Sequence, residues 1–256
     1  MLTHLINLTG QVVLITGGSR GIGAAAAKIF AQAGADVAIT CYKNTDAAKT
    51  VADQVAEIGR RAIILTGDVA DGAVANQHVD LTLEQLGRLD VLVNNAGIWN
   101  YATTGETPVA VWDELIAINL RGMFNYCNAA VPVMQRQAGG NIVNVSSTAG
   151  QRGEAFHSHY AASKGGMNAY TKSLSTELAP HNIRVNAVAP GWVDTELNDE
   201  VFADPENKET IRSSIPLGRI ASPEDIAAPI VFLASEMARH ITGEILNVNG
   251  GAVLCG

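Results

Sequence analysis

Three cysteines in 256 residues, Cys41, Cys127 and Cys255, are too few and too widely spaced to organise a fold. No Cys-x-x-Cys pair is present, so neither a disulfide framework nor a zinc site is expected, and the thiols are read as buried and inert. His157 and His159 lie close together, but no second ligand cluster accompanies them, and no metal is expected. Charge is also scarce. Asp, Glu, Lys and Arg make up 16% of the chain, the net charge is −8, and the seventeen Lys and Arg residues form no basic stripe. That balance excludes a nucleic-acid surface and disfavours binding to an anionic membrane. No apolar run approaches the roughly 20 residues needed to span a bilayer. The opening Met1-Leu-Thr-His-Leu-Ile-Asn-Leu8 has none of the blocks of a signal peptide, so a cytoplasmic protein is expected. Linkers and low-complexity segments are absent as well, and residues 1–256 are expected to form one domain.

What is present is a hydrophobic fraction of 47% arranged in alternating short runs and amphipathic stretches, which suits one large α/β domain. Gln11-Val-Val-Leu-Ile-Thr16 reads as a strand, Gly17-Gly-Ser-Arg-Gly21-Ile-Gly23 as a turn, and Ala24 to Ala33 as a helix. Glycines permit positive φ and let backbone N–H groups at a helix N-terminus approach a pyrophosphate. The turn residues Gly17, Ser19, Arg20, Gly21, Ile22 and Gly23 are therefore candidates for binding a dinucleotide, although glycines also serve a plain tight turn. Further strands are expected at 35–40, 62–66, 89–94, 141–147, 183–189 and 244–248, with helices between them at 46–57, 108–136, through 178 and from 223. Strand and helix in alternation predict a parallel sheet wound on both faces by right-handed crossovers.

About twenty residues after the glycines, where an acid would grip the ribose 2′-hydroxyl of NAD, the chain reads Thr40-Cys41-Tyr42-Lys43. With no acid there, Arg20 and Lys43 are read as a seat for a 2′-phosphate, which favours NADP(H) over NAD(H). Asp68, followed by Val69, is either an acceptor for the adenine amino group or the cap of the next helix. Asn94-Asn95-Ala96-Gly97 pairs small residues that admit a ribose with amides able to tie neighbouring strands. Asn119 stands in an apolar helical stretch, where an asparagine is unfavourable without a partner or a task.

Tyr160 and Lys164 are four apart on a predicted helix and so share a face. A unit charge about 4 Å away, at an effective dielectric of about 20, is worth roughly 4 kcal/mol. A field of that size can draw a phenol of ordinary pKa about 10 toward physiological pH and make it a proton carrier. Ser147 lies thirteen residues earlier, at the end of a strand, with enough intervening chain for both side chains to face one pocket; Ser146 is the alternative.

Taken together these residues resemble a classical short-chain dehydrogenase/reductase over nearly the whole chain. The pattern is met at Thr16-Gly17-x-x-x-Gly21-x-Gly23, Asn94-Asn-Ala-Gly97, Asn119, Ser147, Tyr160-x-x-x-Lys164 and Pro190-Gly191. The resemblance implies a single Rossmann-fold domain with a doubly wound, seven-stranded parallel sheet. It implies hydride transfer between a nicotinamide cofactor and a ketone or secondary alcohol. A 3-oxoacyl or other carbonyl reductase leads, followed by an NAD-dependent alcohol or sugar dehydrogenase. A cofactor-sensing regulatory protein is the non-enzymatic alternative. In this reading Tyr160 exchanges the proton, Ser147 binds the carbonyl oxygen, Lys164 lowers the Tyr160 pKa and holds ribose hydroxyls, and Asn119 holds a relay water. The nicotinamide carboxamide falls to Val193 and Thr195, after Pro190 and Gly191. Thr195 is otherwise a helix cap. Trp99, Tyr101, Glu154, Phe156, His157, His159 and Trp192 flank the expected substrate pocket, with Trp99, Glu154 and Trp192 the candidates for contact. Residues 196–214 are expected to form a closing lid. The larger substrate domains of epimerases and dehydratases are not expected, because the chain ends near the seventh strand. A homotetramer built through the long helices and the last strand is also implied.

Overall fold

A computed structural model describes residues 6–254, so Cys255 and most of the opening segment lie outside the described residues. Seven strands form one sheet in the order β3-β2-β1-β4-β5-β6-β7, with every pairing parallel. They are β1 (Val12–Ile15), β2 (Asp36–Cys41), β3 (Ala62–Thr66), β4 (Val91–Asn94), β5 (Gly140–Val145), β6 (Ile183–Pro190) and β7 (Ile245–Val248). The doubly wound sheet is therefore as expected. β5 ends at Val145, so Ser146 and Ser147 project beyond the sheet rather than belonging to it.

The central strands carry unbroken apolar runs because both faces are covered. In β1, Val13 and Ile15 join the core under α1 (Gly21–Gln32), α2 (Thr45–Glu57) and α10 (Pro223–Ala234). Val12 and Leu14 join the core on the other face, under α3 (Gly72–Leu86), α5 (Gly122–Arg136) and α7 (Ser158–Leu178). The expected helix over 108–136 is interrupted. α4 (Val109–Ile116) passes into a π-helical turn, Ala117–Arg121, before α5 begins, and Asn119 occupies that turn. Such turns are uncommon and concentrate at functional sites. Residues 196–214, expected as a lid, form a 3₁₀ turn at Glu196–Asn198, then α8 (Asp199–Phe202) and α9 (Pro205–Ser214). The short α6 (Ala149–Arg152) links β5 to α7; its Gly150 packs so closely that a Cβ there would lie 2.5 Å from the Lys164 carbonyl carbon.

Amides tie the strands together beneath the carboxyl edge. Asn94 Nδ2 donates to Asn144 Oδ1 at 2.9 Å, and Asn144 Nδ2 donates to Thr171 Oγ1 at 2.8 Å, joining β4, β5 and α7. Asn144 is wholly buried, so losing it strands two polar partners out of reach of water. Asn144→Leu is expected to lower unfolding stability by about 2–3 kcal/mol, measured by urea denaturation; a change near zero would show that the network contributes little.

Candidate active site

Sheet order reverses between β1 and β4, the place where a doubly wound fold opens a crevice at its carboxyl edge. A cleft of about 800 Å³ lies there, lined by the ends of the strands and the loops that follow them. The first strand runs into Gly17, at φ +64°, where a Cβ would come within 3.0 Å of Ala96 Cα. Arg20 is extended and makes no side-chain cap, and α1 begins at Gly21, earlier than expected. The first turn of α1 therefore presents N–H groups not claimed by a cap. This bare, positive-φ cradle fits a pyrophosphate.

Among the expected cofactor contacts, Gly17, Ser19, Arg20, Gly21, Ile22, Asp68, Val69, Asn95, Ala96 and Gly97 line the cleft from its first half. Tyr160, Lys164, Pro190, Gly191, Val193 and Thr195 line it from the second. Gly23 and Lys43 do not. A Cβ on Gly23 would lie 2.4 Å from the Gly17 carbonyl oxygen and 2.6 Å from Asn95 Nδ2, so this glycine lets helix and loop approach each other. Lys43 turns back instead, its Nζ 4.8 Å from the centre of the Tyr42 ring. Asp68 does not cap α3; that task falls to Asp71, while Asp68 accepts from the Ala70 N–H at 2.9 Å. Thr195 makes no capping bond either.

Thr16, matched by the motif but given no task by it, organises the junction. Its hydroxyl accepts from the Asn95 and Ala96 N–H groups at 2.9 and 3.0 Å, while Asn95 Nδ2 donates to the Thr16 and Gly17 carbonyls at 3.0 and 3.1 Å. The reach of this hydroxyl across two strands has no local sequence signal. Arg152, Glu114 and Arg121 also line the cleft and were not anticipated, since only the folded chain brings them there, while Asn198 and Ser214 line it from the segment expected as a lid.

Ser147, Tyr160 and Lys164 meet at one end of the cleft. The two serines differ in their hydrogen bonding. Ser146 is buried, donating to Asn168 Oδ1 at 2.6 Å, whereas Ser147 stands against the Tyr160 phenol. Asn119 is not free to hold a water through its side chain. Its Oδ1 accepts from the Ile98 N–H at 2.8 Å and its Nδ2 donates to the Ile98 carbonyl at 2.9 Å, which pins the segment after β4 to the π turn.

The expected drop in the Tyr160 pKa is not what the structure produces. Burial pushes the phenol up to about 12, the Ser147 hydroxyl pulls the other way, and the nearby Glu154 carboxylate adds to the rise. Lys164 Nζ lies 5.7 Å from the centre of the phenol ring and donates to the Val145 carbonyl at 2.7 Å. Burial also presses the ammonium down to about 8. Desolvation outweighs the field of the neighbour, since a lysine removed from water holds its own proton less firmly. At neutral pH the tyrosine is an intact phenol, poised to donate.

Trp99 and Trp192 line the cleft, and other aromatic rings cluster beside them outside its lining. Trp99 stacks on His157 at 4.2 Å and meets Trp192 edge-on at 6.1 Å, and Tyr101 stacks on Phe156 at 5.3 Å. His159 Nε2 is held by Asn100 Oδ1 at 2.9 Å, and burial keeps its ring below the usual imidazole range. Among the described residues no group of three or more His, Cys, Asp or Glu is placed to hold a metal ion.

The sequence profile of the family described as enoyl-(acyl carrier protein) reductase matches residues 17–253. An L-rhamnose 1-dehydrogenase (NAD(P)(+)) of Sphingomonas sp. is 42% identical, over 95% of this chain and 96% of its own length. A 3-oxoacyl-[acyl-carrier-protein] reductase of Thermotoga maritima is 40% identical, over 97% of this chain and all of its own. Among solved structures, a short-chain type dehydrogenase/reductase from Mycobacterium marinum superposes with a TM-score of 0.94 at 33% identity, covering 100% of both chains. The chain belongs to the short-chain dehydrogenase/reductase family. As a short-chain dehydrogenase/reductase it is an NAD(P)-dependent oxidoreductase that interconverts CH–OH and carbonyl groups. A structure titled as a gluconate 5-dehydrogenase of Beutenbergia cavernae with bound NADP has a TM-score of 0.91 at 36% identity, covering 96% of this short-chain dehydrogenase/reductase and 98% of its own chain.

The depressed Lys164 pKa has a stability consequence. From about pH 8 to the ordinary value of 10.5 the unfolded chain holds this proton and the folded chain does not, so stability rises with pH across that window. Below it the buried charge costs on the order of 3 kcal/mol in full. Lys164→Met is therefore expected to gain stability over wild type near pH 7 and to lose that advantage by pH 10.5, read by urea denaturation at each pH. A pH-independent difference would contradict it.

Proposed function

We propose that the protein reduces a ketone, or oxidises the matching secondary alcohol, at Tyr160, with NADP(H) as the favoured cofactor and NAD(H) as the alternative. The observation that carries this reading is the half-buried Tyr160 phenol beside Ser147 and Lys164, in a cleft that also holds a glycine cradle. A bound nicotinamide supplies or accepts the hydride. In reduction, Tyr160 donates its proton to the carbonyl oxygen and Ser147 donates a second hydrogen bond to the same atom. Lys164, positive below about pH 8, stabilises the phenolate that remains and holds ribose hydroxyls. Asn119 positions this machinery by fixing Ile98. Val193 and Thr195 are the proposed contacts of the carboxamide. In oxidation the tyrosine must start ionised, so that direction is favoured by raising the pH.

Arg20 supports NADP(H), because it lines the cleft beside Thr40, Cys41 and Tyr42, none of which is acidic. Lys43 offers weaker support from its place over Tyr42. The relatives' names divide between acyl and sugar substrates, and the Tyr160 machinery serves either. Among the described residues no helix is long and apolar enough to cross a membrane. A homotetramer is proposed because Trp112 on α4 and Phe124 on α5 are 42% and 45% exposed, an apolar face that a second copy would cover.

Tyr160→Phe is expected to cut turnover by about 10² to 10⁴-fold while NADPH still binds, read by nicotinamide fluorescence; turnover at the wild-type rate would reject the mechanism. In the same titration wild type is expected to prefer NADPH to NADH by about tenfold or more, and Arg20→Ala to abolish the preference. Stronger binding of NADH would reverse the cofactor assignment. Light scattering after size exclusion is expected to return four chain masses, and a monomer would refute the tetramer.

A further inference from the structure

One wall of the cleft adjoins the proton carrier and is not part of the glycine cradle. Trp99, Arg152, Glu154 and Trp192 line it next to Tyr160. The Glu154 side chain is only 19% exposed, and among the described residues no lysine or arginine pairs with it. The nearest cationic candidate is His157 Nδ1, 4.0 Å away, which donates to the Ala155 carbonyl at 2.9 Å. His157 Nε2 is buried and without a hydrogen-bond partner among the described residues. The same ring backs Trp99 at 4.2 Å and fixes the plane of the indole.

This wall therefore offers a carboxylate acceptor, a guanidinium donor and aromatic faces. An acyl chain brings no donors, and seating it here would strip water from a carboxylate without replacing it. Hydroxyl groups are the complementary ligand, and the C–H faces of a sugar ring suit the Trp99 and Trp192 indoles. We propose that the substrate is polyhydroxylated, with Glu154 accepting hydrogen bonds from hydroxyls that adjoin the reacting carbon and Trp99 and Trp192 packing against its carbon skeleton. The shared chemistry is a run of neighbouring hydroxyls, carried by a neutral sugar or by an aldonate. Arg152, which forms no ion pair among the described residues, gives an aldonate carboxylate a seat on the same wall. The proposal rests on Tyr160 as the proton carrier. Glu154 also acts on the phenol, holding its proton more firmly.

The test compares initial rates of wild type, Glu154→Gln and Glu154→Leu, each with NADP(H) and NAD(H), on three sets of compounds: neutral aldoses, aldonates, and an apolar 3-oxoester of similar size. Wild type is expected to use a polyhydroxylated compound with kcat/KM at least about tenfold above that for the ester. Glu154→Leu is expected to shift that ratio toward the ester by about 10- to 100-fold. Glu154→Gln is expected to raise KM for the polyhydroxylated substrate and to move the acid limb of the oxidation rate to lower pH. Which set is preferred tells a neutral sugar from an aldonate. A wild-type preference for the ester, no turnover of any polyhydroxylated compound, or an unchanged ratio in Glu154→Leu overturns the proposal. Wild-type rates in Tyr160→Phe on the preferred substrate would instead remove the catalytic assignment beneath it.

Discussion

Everything this protein does depends on how two loops are joined where the sheet changes direction. Parallel strands carry their loops away in opposite senses on either side of β1 and β4, which opens a crevice but does not hold it to a shape. The shape comes from Asn95, which donates across the gap to Thr16 twice, from its backbone N–H to the hydroxyl and from its side-chain amide to the carbonyl. Those bonds satisfy backbone groups that would otherwise sit unpaired at the edge of the core. They also press Gly17 against Ala96 closely enough that no side chain fits between them. A cradle for phosphate and a floor for ribose result from one polar junction.

At the chemical end the governing quantity is access to water. Lys164 is buried and Tyr160 half-buried, and each is driven toward its neutral form, the phenol to about 12 and the amine to about 8. The two groups approach each other as the four-residue spacing requires, yet proximity alone does not ionise the tyrosine. The lysine spends a hydrogen bond on the end of β5, and the carboxylate of Glu154 favours the proton on the phenol. The resting site is set to give a proton away.

The sheet, its order of elements and most of the cleft were legible in the sequence because they rest on local signals: apolar runs, glycine turns and side chains a fixed number of residues apart. What the sequence does not show about the site has another origin. Gly23 looks like a cofactor contact, but its neighbours are the Gly17 carbonyl and Asn95, and only folding brings Asn95 there. Asn119 looks like a water ligand, but its amide is consumed by Ile98 from a different element. Lys43 carries the right charge, but its place over the Tyr42 ring, outside the cleft lining, comes from the folded loop and not from the charge pattern. Thr16 and Arg152 carry no spacing signal at all, since their importance comes from partners or surfaces distant along the chain. Burial decided the Tyr160 pKa, and burial is not written in the tyrosine-to-lysine spacing.

α7 presents Tyr160 and Lys164 to the cleft while Asn168 and Thr171, farther along, are bonded to Ser146 and Asn144 at the ends of the central strands. Ser163 joins it to Asn119, and Gly150 meets its backbone directly. Each residue advances a helix by about 100° around its axis, so one inserted or deleted residue between 160 and 171 would rotate either the proton carrier or its anchors out of place. Outward positions such as Lys172 and Glu177 are exposed and can vary in kind. For this helix, descent can rewrite letters but cannot change their count.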